Sequence, residues 1–285
     1  MNRVWKWLTV GAAAIAIAAL CALAYIYIAS GCVVGQRYAA MPTTFHAATG
    51  MAAVKEGHRL ARAYGCTSCH DEDLHGGYDG YLHVTVANLT RLSPAFRDAD
   101  FERAIRQGLA PDGTSLAQEM PSDHFRHLPD SVLADIVAFI RAQPPGGEVQ
   151  PRANRELSER WNLLQGRSGM VRARFASGSA LDLGPRYAQG RRIAISVCAI
   201  CHGSALTGGG AAIHLSVPAP DLALAAAYSE TDFQKLLRTG KAAGNRELPV
   251  MSDAARGNFR YLSDAEIHAL YRYLAARGQK LTASP

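Results

Sequence analysis

Five residues occur twice in this chain, Cys66-Thr67-Ser68-Cys69-His70 and Cys198-Ala199-Ile200-Cys201-His202, at an offset of 132 residues. The duplication constrains the fold more than any other feature, because the surrounding residues come into register with it. Residues 73–77 follow the first copy and 205–209 the second, each ending Leu-x-Gly-Gly. Residues 100–108 match 232–240, and each stretch reads as a short amphipathic helix begun by an acidic cap and stopped by glycine. At an offset of 134, residues 125–130 match 259–264, with Asp130 and Asp264 expected as N-caps of closing helices over 131–142 and 265–276. Leu133, Ile136, Val137 and Ile140 form an apolar stripe on the first, and Ile267, Leu270, Tyr271 and Leu274 on the second. A further helix precedes each motif, over 54–64 and 188–197. The expected fold is all-α, with two tandem units behind an N-terminal helix, close to the roughly 150 residues per domain of a soft length prior.

The spacing of the motif carries chemistry. Two intervening residues let one helical turn present two thiols to one edge of a flat ring, and a histidine next to the second thiol reaches beneath the ring centre. This is the pattern of c-type haem attachment, in which the thiols add to the two vinyl groups and the imidazole ligates the iron. A redox dithiol or a four-thiolate zinc site uses similar cysteine pairs. Neither needs the histidine, and zinc would draw both pairs into one site, whereas each pair here sits in its own repeat. Cys66, Cys69, Cys198 and Cys201 are therefore expected to hold two covalently attached haem c groups, with His70 and His202 as iron ligands. Of six cysteines, only Cys21 and Cys32 remain, too few for a disulfide framework.

The opposite iron ligand decides what each site can do, since a Met thioether there raises the potential and closes the iron to substrates. Met120, followed by Pro121, is the one methionine between His70 and the end of its unit, and Met251, preceded by Leu248-Pro249-Val250, holds the matching place in the second. A flexible core filler would not predict one methionine per unit at matched positions in a polar, Pro-containing loop. His124 and His127 compete in the first unit, His214 and His268 in the second, with His268 expected as a surface residue of the last helix.

Residues 8–29 are uncharged, preceded by Arg3 and Lys6 and flanked by Trp5, Trp7, Tyr25 and Tyr27. As a helix, this stretch would span about 33 Å at roughly 1.5 Å per residue, enough for a bilayer core. The positive residues before it keep the N-terminus cytoplasmic. A cleaved signal has an apolar region of only about 7–15 residues, so an uncleaved anchor is expected. Residues 29–32 loosely resemble a bacterial lipobox, with Ala29 where leucine is usual; either anchor leaves the two units on the outer face of the inner membrane, in the periplasm. Between the units, after Pro144-Pro145-Gly146-Gly147, an arginine-bearing stretch (Arg152, Arg155, Arg160, Arg167, Arg172, Arg174) with one helix at 155–164 reads as a linker. The organisation is thus an anchor and tether over 1–41, a first unit over 42–146, a linker over 147–184 and a second unit over 185–285.

Each unit runs helix, C-x-x-C-H, Gly-rich loop, helix, long loop, helix. This order resembles the cytochrome c fold, over about 50–143 and 185–278. The whole chain resembles membrane-anchored diheme cytochromes c, including cytochrome subunits that accept electrons from periplasmic alcohol, aldehyde or sugar-acid dehydrogenases and pass them towards quinone or a terminal oxidase. Such subunits often carry three haem units, and two are visible here. The resemblance implies an electron carrier with redox-protein partners and no catalytic residue of its own. A diheme subunit of a haem–copper oxidase is the neighbouring alternative. A diheme enzyme such as a cytochrome c peroxidase or thiosulfate dehydrogenase is the other, and it needs an open or unusually ligated iron where both units here offer a methionine. Many cytochromes c also place a proline after the motif whose carbonyl orients the proximal imidazole. Pro220 fits that role in the second unit, while residues 86–89 contain no proline and leave it unassigned in the first.

Net charge is +6, yet residues 42–146 sum to −4 and 186–285 to +5, so opposite fields could steer the units to different partners. Nothing points to nucleic acid, because the positive charge is arginine scattered over both units.

Overall fold

A computed structural model describes residues 3–79, 84–150, 156–171, 179–209 and 218–283. Helix α1 (Arg3–Val34) is 32 residues long and, by length and composition, sufficient to cross a membrane; none of its apolar window is buried against the rest of the chain. The first unit follows as α2 (Met51–Ala63), α3 (Cys66–His70), the hairpin β1 (Gly77–Asp79) and β2 (Val84–Val86), α4 (Leu89–Leu92), α5 (Asp98–Glu102) continued by a π turn over Arg103–Gln107, α6 (Ser122–Phe125) and α7 (Asp130–Ala142). After α8 (Leu157–Leu164) the second unit repeats the scheme as α9 (Ala188–Ile193), a π turn over Ala194–Cys198, α10 (Ala199–His202), α11 (Glu230–Thr239), the hairpin β3 (Lys241–Ala242) and β4 (Arg246–Glu247), α12 (Met251–Gly257) and α13 (Asp264–Thr282). Among the described residues the protein is mostly helical, with two short hairpins.

In both units the first and last helices cross at a glycine. A Cβ on Gly57 would stand 1.8 Å from the Asp135 carbonyl oxygen of α7, and one on Gly190 would stand 2.0 Å from that of Ala269 on α13. A mid-helix glycine costs roughly 1 kcal/mol relative to alanine, a cost that this close approach offsets by letting the helices bury their stripes. The stripe on α7 (Leu133, Ile136, Val137, Ile140) is buried, as are Ile267, Leu270 and Leu274 on α13, where Tyr271 is half-buried and Tyr273 fully buried.

The caps differ from expectation. Asp130 and Asp264 are the first residues inside their helices, and the caps are Pro129, which makes no side-chain bond, and Ser263, which completes a capping box with Glu266. Asp100 and Asp232 likewise lie in the first turns of α5 and α11, capped by Arg97 and Ser229. In the first turn these carboxylates still favour the helix through its positive end. The glycine stops hold: Gly108 and Gly240 end their helices in the left-handed region at φ 65 and 76. Helix α13 runs past 276 to Thr282, because Gly278 allows it to press on residues 222–227, where a Cβ would be 2.4 Å from the Ala223 oxygen.

The stretch expected as a plain linker is packed instead. Arg160 of α8 donates to Ser30 Oγ at 2.9 Å and lies over the Tyr27 ring of α1 at 4.5 Å. Beyond α8, Ala117 and Met170 form an antiparallel bridge, flanked by Gln118 N to Gly169 O (3.3 Å) and Val171 N to Leu116 O (3.1 Å). The tether is laced to the first unit as well, through Tyr38 N to Gly113 O (2.8 Å) and reciprocal bonds between Met41 and the Gln107 amide (2.8 and 3.2 Å). Arg152, Arg155, Arg172 and Arg174 lie outside the described residues.

Candidate haem sites

Helix α3 carries both cysteines and the histidine of the first motif on little more than one turn; in the second, Cys198 closes the π turn and α10 carries Cys201 and His202. All four cysteines are unbridged, and burial pushes the Cys66 and Cys198 thiols up to about 12 and those of Cys69 and Cys201 upward. These shifts run opposite to the lowered value of a redox dithiol's attacking thiol. Among the described residues, no group of three or more His, Cys, Asp and Glu side chains is placed to hold a metal ion.

His70 Nδ1 donates to the Ala87 carbonyl at 2.8 Å, and His202 Nδ1 donates to that of Pro220 at 2.7 Å. Burial pushes both imidazoles below the ordinary histidine value, against the smaller opposing effect of those carbonyls. With Nδ1 engaged by the carbonyl, each ring leaves Nε2 free to coordinate. Pro220 takes the role expected of it, and Ala87 fills the role that had no candidate in the first unit.

The same local path delivers both carbonyls. Leu74 and Leu206, fully buried, adopt φ 60 and 62, and their oxygens accept from Leu89 N (2.9 Å) and Leu222 N (3.0 Å). Gly76 N and Gly208 N donate back to the His70 and His202 oxygens at 3.0 and 2.9 Å. A Cβ on Gly76 would lie 2.6 Å from the Ala87 oxygen itself, so the side chain must be absent for that carbonyl to reach the imidazole. The next residue is then anchored to the C-terminal part of its unit, just beyond α7 in the first and on α13 in the second. Asn88, 2 % exposed, donates to the oxygens of Gly146 and Glu148, both at 2.9 Å. At the matching place Asp221 Oδ1 accepts from Arg277, 1 % exposed, at 2.8 Å. Asn88 and Asp221 also accept from Arg91 N (3.1 Å) and Ala223 N (2.7 Å).

Met120 and Met251 are half-buried and pack against the core that Cys66 and Cys198 join. Met120 lies in a loop, as expected, whereas Met251 opens α12. Before it, Val250 is held at φ 58, ψ −51, with Met251 N bonded to Pro249 O at 2.5 Å. That is a γ-turn rarely tolerated by a β-branched residue. Among the described residues the competing histidines have other partners. His124 is buried in α6 beside Asp123, its Nε2 3.7 Å from the carboxylate, and His127 Nε2 accepts from Arg126 at 3.1 Å. His268 pairs with Glu230 on the surface, and His214 lies outside the described residues.

The two sites adjoin. Ser68, between Cys66 and Cys69, donates to Asn258 Oδ1 at 2.8 Å, and Ser196, two residues before Cys198, donates to the His124 oxygen at 3.5 Å. His124 and Asn258 occupy matching places in the repeat. The units therefore meet at matching places, 124 and 258, through partners that do not match, since Ser68 aligns with Ile200 and Ser196 with Tyr64. Around it, Arg59 of α2 donates to Glu266 Oε2 (2.8 Å) and the Tyr261 oxygen (2.7 Å), and Arg62 lies 5.1 Å from the Tyr261 ring centre.

Paired thiols on a helical turn, a buried neutral imidazole with its outer nitrogen fixed, and a thioether on the same core together fit a haem. Residues 54–144 match the cytochrome c family, and residues 185–274 match the family described as cytochrome c oxidase, cbb3-type, subunit III. The chain carries two cytochrome c-type domains behind an N-terminal apolar helix. Among characterised proteins it resembles the gluconate 2-dehydrogenase cytochrome c subunit of Pantoea cypripedii, 27 % identical, over 80 % of this chain and 60 % of that one. It is similar to the alcohol dehydrogenase (quinone) cytochrome c subunit of Gluconacetobacter polyoxogenes (26 %, 78 % of this chain and 55 % of that one). The fructose dehydrogenase cytochrome subunit of Gluconobacter japonicus is similar too (25 %, 78 % and 52 %). The chain spans between half and three fifths of the length of these relatives.

Gly57, Gly190, Asn88 and Asp221 escaped the reading of the sequence alone. The glycines had a signal, a helix breaker at matched places inside two predicted helices. Asn88 and Asp221 had only their place in the repeat, since their partners are 58 and 56 residues away.

Proposed function

We propose that this protein relays electrons through two covalently attached haem c groups, one on Cys66 and Cys69 with His70 and Met120 as ligands, the other on Cys198 and Cys201 with His202 and Met251. A haem iron held in this way changes between its ferrous and ferric states one electron at a time. The chain's residues keep the imidazoles neutral and oriented, close both irons with thioethers, and exclude water from the sites. Residues 42–146 and 185–285 form the two domains, 147–184 the segment between them, and 1–41 a membrane anchor and tether that hold the domains on the periplasmic face of the inner membrane. The partner that delivers electrons is a periplasmic dehydrogenase, as the names of the relatives suggest, and they leave towards quinone or a terminal oxidase. The observation that supports this reading is the pair of Nδ1 bonds from His70 and His202 to the Ala87 and Pro220 carbonyls, which leave each Nε2 free next to a cysteine pair.

The test is spectroscopic. Intact mass from a host that matures c-type cytochromes should show two haems, and Cys66→Ala with Cys69→Ala should leave one. The oxidised protein should be low-spin, with the weak long-wavelength sulfur-to-iron band; Met120→Ala and Met251→Ala should each remove about half of it and lower one potential, within a ligand tuning range of up to about 0.8 V. A high-spin wild-type haem that binds cyanide readily would instead favour a diheme enzyme.

A further inference from the structure

Helix α8 meets the anchor at a defined depth. Its Arg160 reaches Ser30, which is fully buried, and covers Tyr27, so the contact lies at the end of the uncharged run that starts at Leu8. At roughly 1.5 Å per residue that point is about 33 Å along the helix, the far edge of a bilayer core. Tyr25 and Tyr27, 64 % and 50 % exposed, mark the same level, where aromatic side chains favour the membrane–water boundary. On α8, Leu157 and Trp161 stand one turn apart on one face, 41 % and 45 % exposed, while Leu163 is buried. Arg167, just beyond the helix, is exposed.

Building on the reading of α1 as an anchor, we infer that α8 lies in the membrane interface. Leu157 and Trp161 enter the boundary between headgroups and acyl chains, and Arg160 and Arg167 stand at the level of the lipid phosphates. The partner for this face is the lipid surface, because the contact with α1 fixes its depth. Through the pairing of 169–171 with 116–118, the same contact sets the height of the first domain above the bilayer.

Thiol accessibility tests this in the full, haem-loaded chain carrying Cys21→Ala and Cys32→Ala, inserted singly into nanodiscs of phosphatidylethanolamine and phosphatidylglycerol. Ile17→Cys, Leu157→Cys, Trp161→Cys and Val149→Cys are each reacted with a water-soluble polyethylene glycol maleimide and read by gel shift. Val149, 73 % exposed, is the open reference. The expected result is no labelling at 17 and labelling at 157 and 161 at least tenfold slower than at 149. Labelling at 157 and 161 as fast as at 149, with 17 protected, overturns the interfacial placement and leaves the anchor intact. Rapid labelling at 17 overturns the anchor itself. Protection at 157 and 161 that appears only in discs holding two copies assigns the face to a second chain and also overturns the inference.

Discussion

Asn88 and Asp221 hold equivalent places but solve the same problem with different chemistry. Each fixes the backbone just after the carbonyl that orients a histidine, Asn88 through neutral bonds to Gly146 and Glu148, Asp221 through an ion pair with the buried Arg277. Proline stiffens the second loop at residue 220, whereas in the first the Asn88 amide does the work of the missing ring. Asn88→Ala, losing a cap and two buried bonds, should cost about 2 kcal/mol in denaturant melts and shift only the potential of the first domain in a redox titration. Arg277→Met should leave the Asp221 carboxylate without its counter-charge and lower the potential of the second domain, because uncompensated negative charge favours ferric iron. An equal shift of both potentials in either variant would contradict these local roles.

At the scale of elements, the helix crossings and the loops before the methionines carry the load. Gly57→Val or Gly190→Val drives a side chain into a carbonyl of the facing helix, and overpacking of this kind costs roughly 3 kcal/mol. The expected result is a lowered melting temperature with loss of haem from the affected domain alone during maturation, read by mass. The Met120 loop depends on a segment that is distant in sequence, since 116–118 pairs with 169–171 and 113 with the tether. Val171→Pro removes the donor to Leu116 O, so the thioether band of the first domain should weaken while that of the second is unchanged. The Met251 loop has its own hairpin, β3–β4, tied by Lys241 and Arg256 to Glu247, and needs no such brace.

For the molecule as a whole, the interface between the domains decides whether two cytochrome domains act as one. Arg59 is its most connected residue, bonded at once to Glu56, Glu266 and the Tyr261 oxygen, and Glu266 also closes the capping box of α13. Arg59→Ala should weaken domain docking by about 2 kcal/mol, the scale of hydrogen bonds to charged groups. Calorimetry should then resolve one cooperative transition into two, and flash reduction of one haem should equilibrate more slowly with the other. A single unchanged transition would mean that apolar contact, not this cluster, joins the domains.

The sequence determined by itself what repeats. The two C-x-x-C-H motifs, the apolar stripes of the closing helices, the glycine stops and the uncharged N-terminal run are all local patterns of spacing, and local patterns survive without knowledge of the fold. The resemblance to cytochromes c, which often place a proline carbonyl against the proximal imidazole, pointed to Pro220. What needed the tertiary structure were partners far apart in the chain: the Ala87 carbonyl on His70, Asn88 on Gly146, Arg277 on Asp221, Arg160 on Ser30, and Arg59 on Glu266. The caps Pro129 and Ser263 also emerged only there, since a helix can begin at any of several adjacent polar residues and packing selects one. The packing of the segment between the domains escaped the sequence for the same reason: Arg160 looks solvated until α1 is brought beside it, and the pairing of 169–171 with 116–118 joins residues more than fifty apart.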